Sequence, residues 1–362
     1  MSTTLGTVYV MTNSRINNEV VAFSRGPDGT LSLIDAYKTG GHGTGTRRVS
    51  PETPGGAVDP LASQGSIVLS DYKRFLFAVN AGSNSISSFR RDVTGELTLV
   101  DEVPSGGLQP NSLAVHERLL YVSNAGSDTN GSDSNITGFR IGPRGELEMI
   151  PNSERSLSTP NAHPASVVFT PDGSQLVVSE LTTNRLSVFD VKPDGTVSRR
   201  TVNRSNGAGP FGSYFLPSGL LLNSEAGTNA LSSYTVSLDG TLNVISGSVE
   251  SGQMATCWVV ATRNGRYAYT SNTGSGTISL YSINTDGTLE LGENIPSTPE
   301  GSPMGAPIDS GVSRDQRNFY VLNGNQGSIS VFKINSGGQL IRLQVIDSEE
   351  IPNLGAQGLA VI

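Results

Sequence analysis

A tight-turn signal recurs seven times along this chain and constrains its fold more than any other feature. Four copies read Asp-Gly-Thr followed by Leu or Val, and they begin at Asp28, Asp194, Asp239 and Asp286. Three weaker copies are Gly95-Glu96-Leu97, Gly145-Glu146-Leu147 and Gly337-Gly338-Gln339-Leu340. Asp-Gly between alternating apolar residues predicts a β-hairpin, because Gly accepts the positive φ that tight hairpin turns require. We therefore expect seven hairpins, each joining the third and fourth strands of one repeat.

An apolar run that ends in Asn or Glu precedes each hairpin, and a short strand follows it. The seven end residues are Asn13, Asn80, Asn124, Glu180, Glu225, Asn272 and Asn323. The order strand, turn, strand, Asn/Glu loop, strand, hairpin, strand recurs roughly every 45 to 50 residues, a period typical of β-propellers. The sequence thus predicts an all-β fold, a seven-bladed β-propeller with four-stranded blades. An open array of β-sandwiches is the alternative.

The two ends of the chain complement each other. The first repeat begins at Val8 with the second type of strand and so lacks an innermost strand. The segment from Gly355 to Val361 resembles the innermost strand that runs from Pro110 to Val115. A C-terminal strand that completes the first blade would close the ring and remove exposed sheet edges. We therefore predict one propeller domain over residues 1–362, with insertions after Gly41 and Gly126.

Charge and composition restrict the classes of partner. The 24 Lys and Arg residues are scattered among 32 Asp and Glu, with no basic run and a net charge of −8. This balance argues against nucleic acid and against an anionic membrane surface. Cys257 is the only cysteine, the N-terminus has no signal-peptide pattern, and no apolar stretch is long enough to span a membrane. We expect a cytoplasmic protein with a small-molecule substrate; the sequence does not determine the oligomeric state.

Candidate catalytic residues lie on one face of the predicted propeller. The loops that lead into the innermost strands share this face, here called the rim face, with the loops between the second and third strands. Asn at the end of the second strand is explained by its turn geometry, whereas Glu180 and Glu225 break that rule on adjacent blades. A solvated surface Glu is the alternative. His163 precedes the blade that carries Glu180 and supplies an imidazole that titrates near neutrality. We predict that His163, Glu180 and Glu225 are catalytic and converge on the channel mouth.

Further rim positions would bind and orient the substrate. Phe211 and Trp258 would form an apolar wall, and the polar contacts would come from Asn111, Gln253, Asn272 and Gln357. The first insertion runs from His42 to about Ser63 and leaves from the rim face; its Gly content fits a mobile lid and a disordered loop equally. No Cys/His pattern suits zinc. Rim carboxylates and amides could hold Ca²⁺ or Mg²⁺, but no cofactor or metal is indicated.

Two stretches resemble the lactonase-type propeller family, which includes cycloisomerase-type 6-phosphogluconolactonases and fungal carboxymuconate cyclases. They are residues 163–173, and Gly207-Ala208-Gly209-Pro210 followed later by Asn223-Ser224-Glu225. The resemblance covers essentially the whole chain. It implies a His where His163 stands, an Arg-His pair just after the Gly-Pro, and a Glu at the end of the next strand.

This chain departs from the family pattern at one point. His163 and Glu225 match, but Phe211-Gly212 stands in place of the Arg-His pair. An Arg there would clamp a carboxylate or phosphate of the substrate, so its loss argues against phosphogluconolactone and carboxymuconate as substrates. Residues 225–227, 252–258 and 355–358 resemble a divergent branch of the family.

Two functions follow as hypotheses. The first is an enzyme that hydrolyses or isomerises a small lactone or related carbonyl compound at the channel mouth. Glu225 or Glu180 would activate water or remove a proton, with His163 as its partner. The alternative is a non-catalytic propeller scaffold that binds a small molecule or a protein, as the missing Arg-His pair would suggest.

Overall fold

A computed structural model describes residues 6–49, 51–129 and 131–362 of the chain, and these residues form β-strands and no helix. The first three blades contain β1 (Gly6–Met11), β2 (Glu19–Arg25), β3 (Leu31–Lys38), β4 (Ile67–Leu69), β5 (Phe75–Asn80), β6 (Ser85–Arg91), β7 (Leu97–Pro104), β8 (Pro110–His116), β9 (Leu119–Asn124), β10 (Asn135–Ile141), β11 (Leu147–Met149) and β12 (Arg155–Ser156). The fourth and fifth blades contain β13 (Pro164–Phe169), β14 (Gln175–Glu180), β15 (Arg185–Asp190), β16 (Thr201–Arg204), β17 (Pro210–Phe215), β18 (Leu221–Glu225), β19 (Ala230–Val236) and β20 (Leu242–Glu250). The remaining strands are β21 (Thr256–Ala261), β22 (Tyr267–Asn272), β23 (Thr277–Ile283), β24 (Leu289–Pro296), β25 (Pro307–Val312), β26 (Asn318–Asn323), β27 (Ser328–Ile334), β28 (Leu340–Asp347) and β29 (Gln357–Val361).

These strands build seven antiparallel blades. Blades 2 to 7 each take four consecutive strands, beginning with β4, β8, β13, β17, β21 and β25, and the two-residue β12 also pairs with β10 of blade 3. Blade 1 has the order β29–β1–β2–β3, so the C-terminal strand is its innermost member. In this pairing Val8 lies opposite Val361 and Tyr9 opposite Ala360. The predicted seven-bladed propeller, closed by its C-terminal strand, is confirmed.

The seven predicted hairpins also join neighbouring blades. Their glycines all have positive φ, between 81° and 100°. In four places the hydroxyl of a buried second-strand tyrosine donates to the carbonyl oxygen of the hairpin glycine of the next blade, at 2.7 to 2.9 Å: Tyr9 to Gly95, Tyr121 to Gly195, Tyr269 to Gly338, and Tyr320 to Gly29. The last of these pairs joins blade 7 to blade 1 and so completes the ring. Apolar cores fill the spaces between blades, as between the rings of Tyr269 and Phe319, whose centroids are 5.1 Å apart.

The innermost strands surround a central channel that has two ends. These strands begin at the rim face and end at what we call the opposite face, where turns lead into the second strands. Along the channel β29 contacts both β25 and β4, as the ring requires. No helix in the described part of the chain is long and apolar enough to cross a membrane.

Candidate functional site

The first insertion enters the rim end of the channel as an ordered segment. We call its last part, residues 59–65, the plug. Leu61, Ala62 and Ser63 are buried. Asn111 of blade 3 holds these residues in place. Its side-chain Nδ2 donates to Leu61 O at 3.3 Å, and its backbone carbonyl oxygen accepts from Ser63 Oγ at 2.7 Å. The expectation of a mobile lid or a disordered loop therefore does not hold for this part of the insertion.

Gln64 connects the plug to blades on the other side of the channel through hydrogen bonds. Its backbone N–H donates to Ala165 O of blade 4 at 2.8 Å. Its side-chain Nε2 donates to Ser213 O of blade 5 and to Val259 O of blade 6, both at 3.1 Å. Its Oε1 accepts from Val259 N at 2.9 Å. One side chain thus connects blade 2 to blades on the far side of the channel.

The plug accounts for the departure from the family pattern at residues 211 and 212. A Cβ on Gly212 would collide with Gln64 Oε1, so only glycine leaves room for the glutamine. Phe211 is buried, and its ring packs edge-on against Trp258 with centroids 4.9 Å apart. Trp258 in turn donates from Nε1 to Ser63 O at 3.1 Å. Phe211 and Gly212 therefore support the plug where the family pattern has a cation and an imidazole.

Two carboxyl groups lie at the plug. Asp59 Oδ1 accepts from Ala62 N at 2.9 Å, and Asp309 Oδ2 accepts from Gly358 N at 3.0 Å. Burial raises the pKa of Asp59 to about 7, although the nearby Arg48 guanidinium opposes the shift. Burial and the negative charge of Asp59 raise the pKa of Asp309 to about 8. Near neutral pH this pair can hold a proton on one carboxyl group while the other is ionised.

The surroundings of the pair include three of the predicted substrate-binding residues. Gln357 is buried and its side chain lies close enough to Asp59 to lower the pKa of that carboxyl group, and Trp258 has the same effect on the pKa of Asp309. Phe211 lies behind Trp258. As a whole residue Asp59 is half-buried, whereas Asp309 is 3 % exposed. The structure thus brings Phe211, Trp258 and Gln357 together, but around Asp59 and Asp309.

Glu180 and Glu225 end the second strands of blades 4 and 5, and both are fully buried. Glu180 accepts from Ser187 Oγ at 2.6 Å, Thr183 Oγ1 at 2.8 Å and Ser158 N at 3.1 Å, and also from Ser158 Oγ. Glu225 accepts from Ser232 Oγ and Ser248 Oγ, both at 2.6 Å, and from Gly207 N at 2.8 Å. Every donor comes from the same blade or the connection that leads into it.

Asn residues of other blades make the same contact. Nδ2 of Asn80, Asn272 and Asn323 donates to the serine hydroxyl seven residues later, at 2.7 to 2.9 Å, just as Glu180 and Glu225 accept from theirs. We call this pair the strand latch, because it joins the second strand of a blade to the third. The expectation that the two glutamates face the channel mouth is wrong, since the latch turns them into the blade. Their catalytic role stays a prediction.

His163 lies at the rim with a positive φ of 52° and is 6 % exposed. Its Nε2 is 3.2 Å from Asp128 Oδ1, in the second insertion, and its buried Nδ1 has no hydrogen-bond partner among the described residues. Glu52 of the first insertion accepts from Ser127 Oγ at 2.8 Å beside this pair. The catalytic role of His163 also stays a prediction.

The other predicted binding residues make contacts within the protein. Asn111 holds the plug, and Asn272 is a latch residue whose Oδ1 also accepts from Thr256 Oγ1 at 2.7 Å. Gln253 is half-buried and accepts from Thr277 Oγ1 at 2.9 Å. Their polar groups are therefore engaged already.

Sequence reasoning gave no catalytic or binding role to Asp59, Asp309 or Arg48. One signal was present for Asp309, since it is the only carboxylate among the residues at the starts of the innermost strands. Nothing in the sequence placed Asp59, because it belongs to the insertion rather than to the repeat. Among the described residues, no three His, Cys, Asp or Glu side chains are grouped as ligands of a metal ion.

Comparisons with known proteins agree with the architecture. The family model described as "Lactonase, 7-bladed beta-propeller" matches residues 8–150 and 146–352. No curated protein matches the chain in sequence. Among solved structures, a candidate 6-phosphogluconolactonase from Bacteroides uniformis is 18% identical and covers 99% of both chains, with a TM-score of 0.75. A periplasmic gluconolactonase from Pseudomonas aeruginosa is 17% identical and covers 98% of this chain and 99% of its own, with a TM-score of 0.73.

The structural neighbours are too distant in sequence to show more than the fold. The family model is more specific, because its two matches run from the first blade into the segment that leads to the closing strand. The blades, their closure and this match agree along the whole ring, and the chain therefore belongs to the lactonase family of seven-bladed β-propellers.

Proposed function

We propose that this protein is a lactonase-like hydrolase that opens a small lactone at the rim end of its channel, with Asp59 as the general base. The observation that carries the proposal is the carboxyl pair at the plug. A carboxyl group whose pKa is raised to about 7 can take up and return a proton at neutral pH. Membership of the lactonase family supports the reaction class, and its neighbours include a gluconolactonase.

The reaction needs one base, one water and one returned proton. Ionised Asp59 removes a proton from water as the water oxygen bonds to the lactone carbonyl carbon. The ring C–O bond then breaks, and its oxygen takes the proton back from Asp59 to give a hydroxy acid. Protonated Asp309, next to Asp59, keeps a second negative charge out of the site.

Arg48 supplies the positive charge that residues 211 and 212 do not. It belongs to the same insertion as Asp59 and is close enough for its charge to lower the Asp59 pKa. A guanidinium there would stabilise the oxyanion that forms on the carbonyl oxygen. Trp258 and Phe211 pack against each other beside the plug and make the surroundings of the carboxyl pair apolar, which favours a less polar substrate than a sugar phosphate.

A lactone hydrolysis panel tests the proposal. Asp59→Asn should lower kcat/KM at least about 100-fold, as expected for loss of a general base, and leave the melting temperature nearly unchanged. Activity of the unaltered protein should rise with pH through about 7, as Asp59 ionises. The exposed Asp347→Asn is the matched control. Undiminished hydrolysis by Asp59→Asn would overturn the assignment.

The same panel of lactones tests the catalytic roles predicted for His163, Glu180 and Glu225. His163→Ala, Glu180→Gln and Glu225→Gln are assayed beside Asp59→Asn, since we retain them as proposed catalytic groups. Substrates that can isomerise without hydrolysis are included, because a carboxylate base serves that proton transfer equally.

A non-catalytic scaffold is the second candidate. The observation that favours it is the plug, which fills the rim end of the channel with the chain's own residues. Binding of lactones without turnover in the unaltered protein would support the scaffold over the hydrolase.

A further inference from the structure

The channel is open at the opposite face, where two connected cavities of about 500 and 550 Å³ lie. They share Asp71, Tyr214, Phe215 and Pro217. The inner cavity ends at Gln64 and Gly65, the last residues of the plug, and its walls are mostly apolar: Val68, Leu113, Val115, Phe169 and Phe215. The outer cavity, which we call the basal mouth, carries the charges.

Three cationic side chains and one carboxylate side chain line the basal mouth. They are Lys73, Arg263, Arg314 and Asp71. In the described residues none of the three cations lies within ion-pair distance of a carboxylate, and Asp315, next to Arg314, pairs with Arg25 instead. Asp71 also accepts from Glu117 N at 2.6 Å. This excess of positive charge contrasts with the net charge of −8 of the chain.

The positions of the arginines in the repeat explain why they converge. Each stands first in the turn between the innermost and second strands of its blade. Pro171 and Pro217 occupy this position in blades 4 and 5, and both line the connected cavities. Blades 6 and 7 therefore place Arg263 and Arg314 side by side, at a position that faces the channel.

Lys73 stands two positions further along the same kind of turn. It adopts a φ of 56°, where Gly173, Gly219 and Gly265 stand in other blades. A lysine in this left-handed conformation costs about 1 kcal/mol relative to glycine. Burial and the charges of Arg314 and Arg263 lower the pKa of Lys73, against the influence of Asp71. The turn thus holds a strained cation close to two others.

We propose that the basal mouth binds an organic carboxylate with an apolar body, whose carboxylate contacts Arg263, Arg314 and Lys73 while its body enters the channel. Guanidinium groups bind carboxylates through paired, charge-assisted hydrogen bonds. An anion offsets the repulsion among the three cations, and the apolar walls of the inner cavity accept a ring or a branched chain. This site is separate from the carboxyl pair at the plug and does not depend on its chemistry.

Calorimetric titration of the full chain tests the site with benzoate and phenylacetate, against benzyl alcohol and inorganic phosphate. Both carboxylates should bind at least about tenfold more tightly than benzyl alcohol, because the alcohol lacks the charge. They should also bind more tightly than phosphate, which lacks an apolar body. Equal affinity for benzyl alcohol, or tighter binding of phosphate, would overturn the proposal.

Variants locate the binding. The double variant Arg263→Gln/Arg314→Gln should weaken benzoate binding at least about tenfold. Lys192→Gln/Arg199→Gln removes the same charge from exposed positions outside both cavities and should leave affinity unchanged. Lys73→Gly should weaken binding without lowering the melting temperature, since glycine relieves the positive φ. Equal losses in the two double variants would refute a specific site.

Discussion

Trp258 donates a hydrogen bond from its indole Nε1 to the carbonyl oxygen of Ser63, 3.1 Å away, and so ties the plug to the innermost strand of blade 6. The two residues are 195 positions apart in the chain. Both are buried, so this bond has no water to replace it if one partner is lost. The plug is thus part of the propeller's packed interior rather than a loop resting on its surface.

Trp258→Phe should lower the free energy of unfolding by about 1–3 kcal/mol, because it leaves the Ser63 carbonyl buried without a donor and removes ring volume beside Phe211. Urea denaturation followed by circular dichroism measures the change, since Trp258 is the only tryptophan and its fluorescence is lost in the variant. Tyr72→Phe, at a residue that is 87% exposed, is the control. A change no larger than that of the control would mean that the plug is not anchored through Trp258.

Glu225→Ala and Asn80→Ala should destabilise the protein by similar amounts, about 2–4 kcal/mol each, because both residues are buried latches. Removal of Glu225 leaves Gly207 N and two serine hydroxyls without an acceptor. Thermal and urea unfolding measure the losses, with the exposed Glu250→Ala for comparison. If Glu225→Ala leaves the free energy of unfolding unchanged, Glu225 does not act as a latch residue, and the prediction that it is catalytic gains support.

The sequence repeat predicted the periodic features of the fold but few of the contacts that are specific to one blade. The hairpin glycines and the closing strand follow from local rules that act within one blade, so their pattern in the sequence is enough to place them. The strand latch shows where this kind of inference fails. Glu180 and Glu225 differ in residue type from the Asn of the other blades, but they keep a serine partner seven residues later. A substitution that breaks a sequence rule can still preserve its hydrogen bond.

The carboxyl pair could not be predicted for a different physical reason. Asp59 and Asp309 are 250 residues apart, and only the path of the insertion into the channel brings them together. That path is set by long-range contacts such as Gln64 with Ser213 and Val259. Even so, the departure from the family pattern that the sequence showed lies at residues 211 and 212, and at residue 212 the plug leaves room only for glycine.

Deletion of residues 355–362 should cause a cooperative loss of several kcal/mol of stability, or aggregation. It removes β29, exposes the backbone edge of β1, and leaves β25 and β4 without the strand between them. It also removes the Gly358 N–H that donates to Asp309 and the Gly355 carbonyl that accepts from Asn13 Nδ2. Differential scanning calorimetry and light scattering measure both outcomes. An unchanged melting temperature would contradict closure by the C-terminal strand.

The stability of the protein should fall as pH rises through the range in which Asp309 titrates. Its pKa is about 8 in the folded chain, against about 3.9 for an unfolded aspartic acid. The folded state therefore binds more protons than the unfolded state between these values. The stabilising contribution of the protonated carboxyl is fully present below about pH 4 and is lost as pH rises through about 8.

Asp309→Asn isolates this contribution, because the amide is neutral at every pH and is similar in size to the protonated acid. The free energy of unfolding of the variant, relative to the unaltered protein, should increase by up to about 1.4 kcal/mol for each pH unit between 5 and 8. Urea titrations at half-unit intervals measure the difference, with the exposed Asp347→Asn as control. A difference that stays constant over this range would show that Asp309 is already ionised at pH 5, and it would remove the protonated partner from the proposed mechanism.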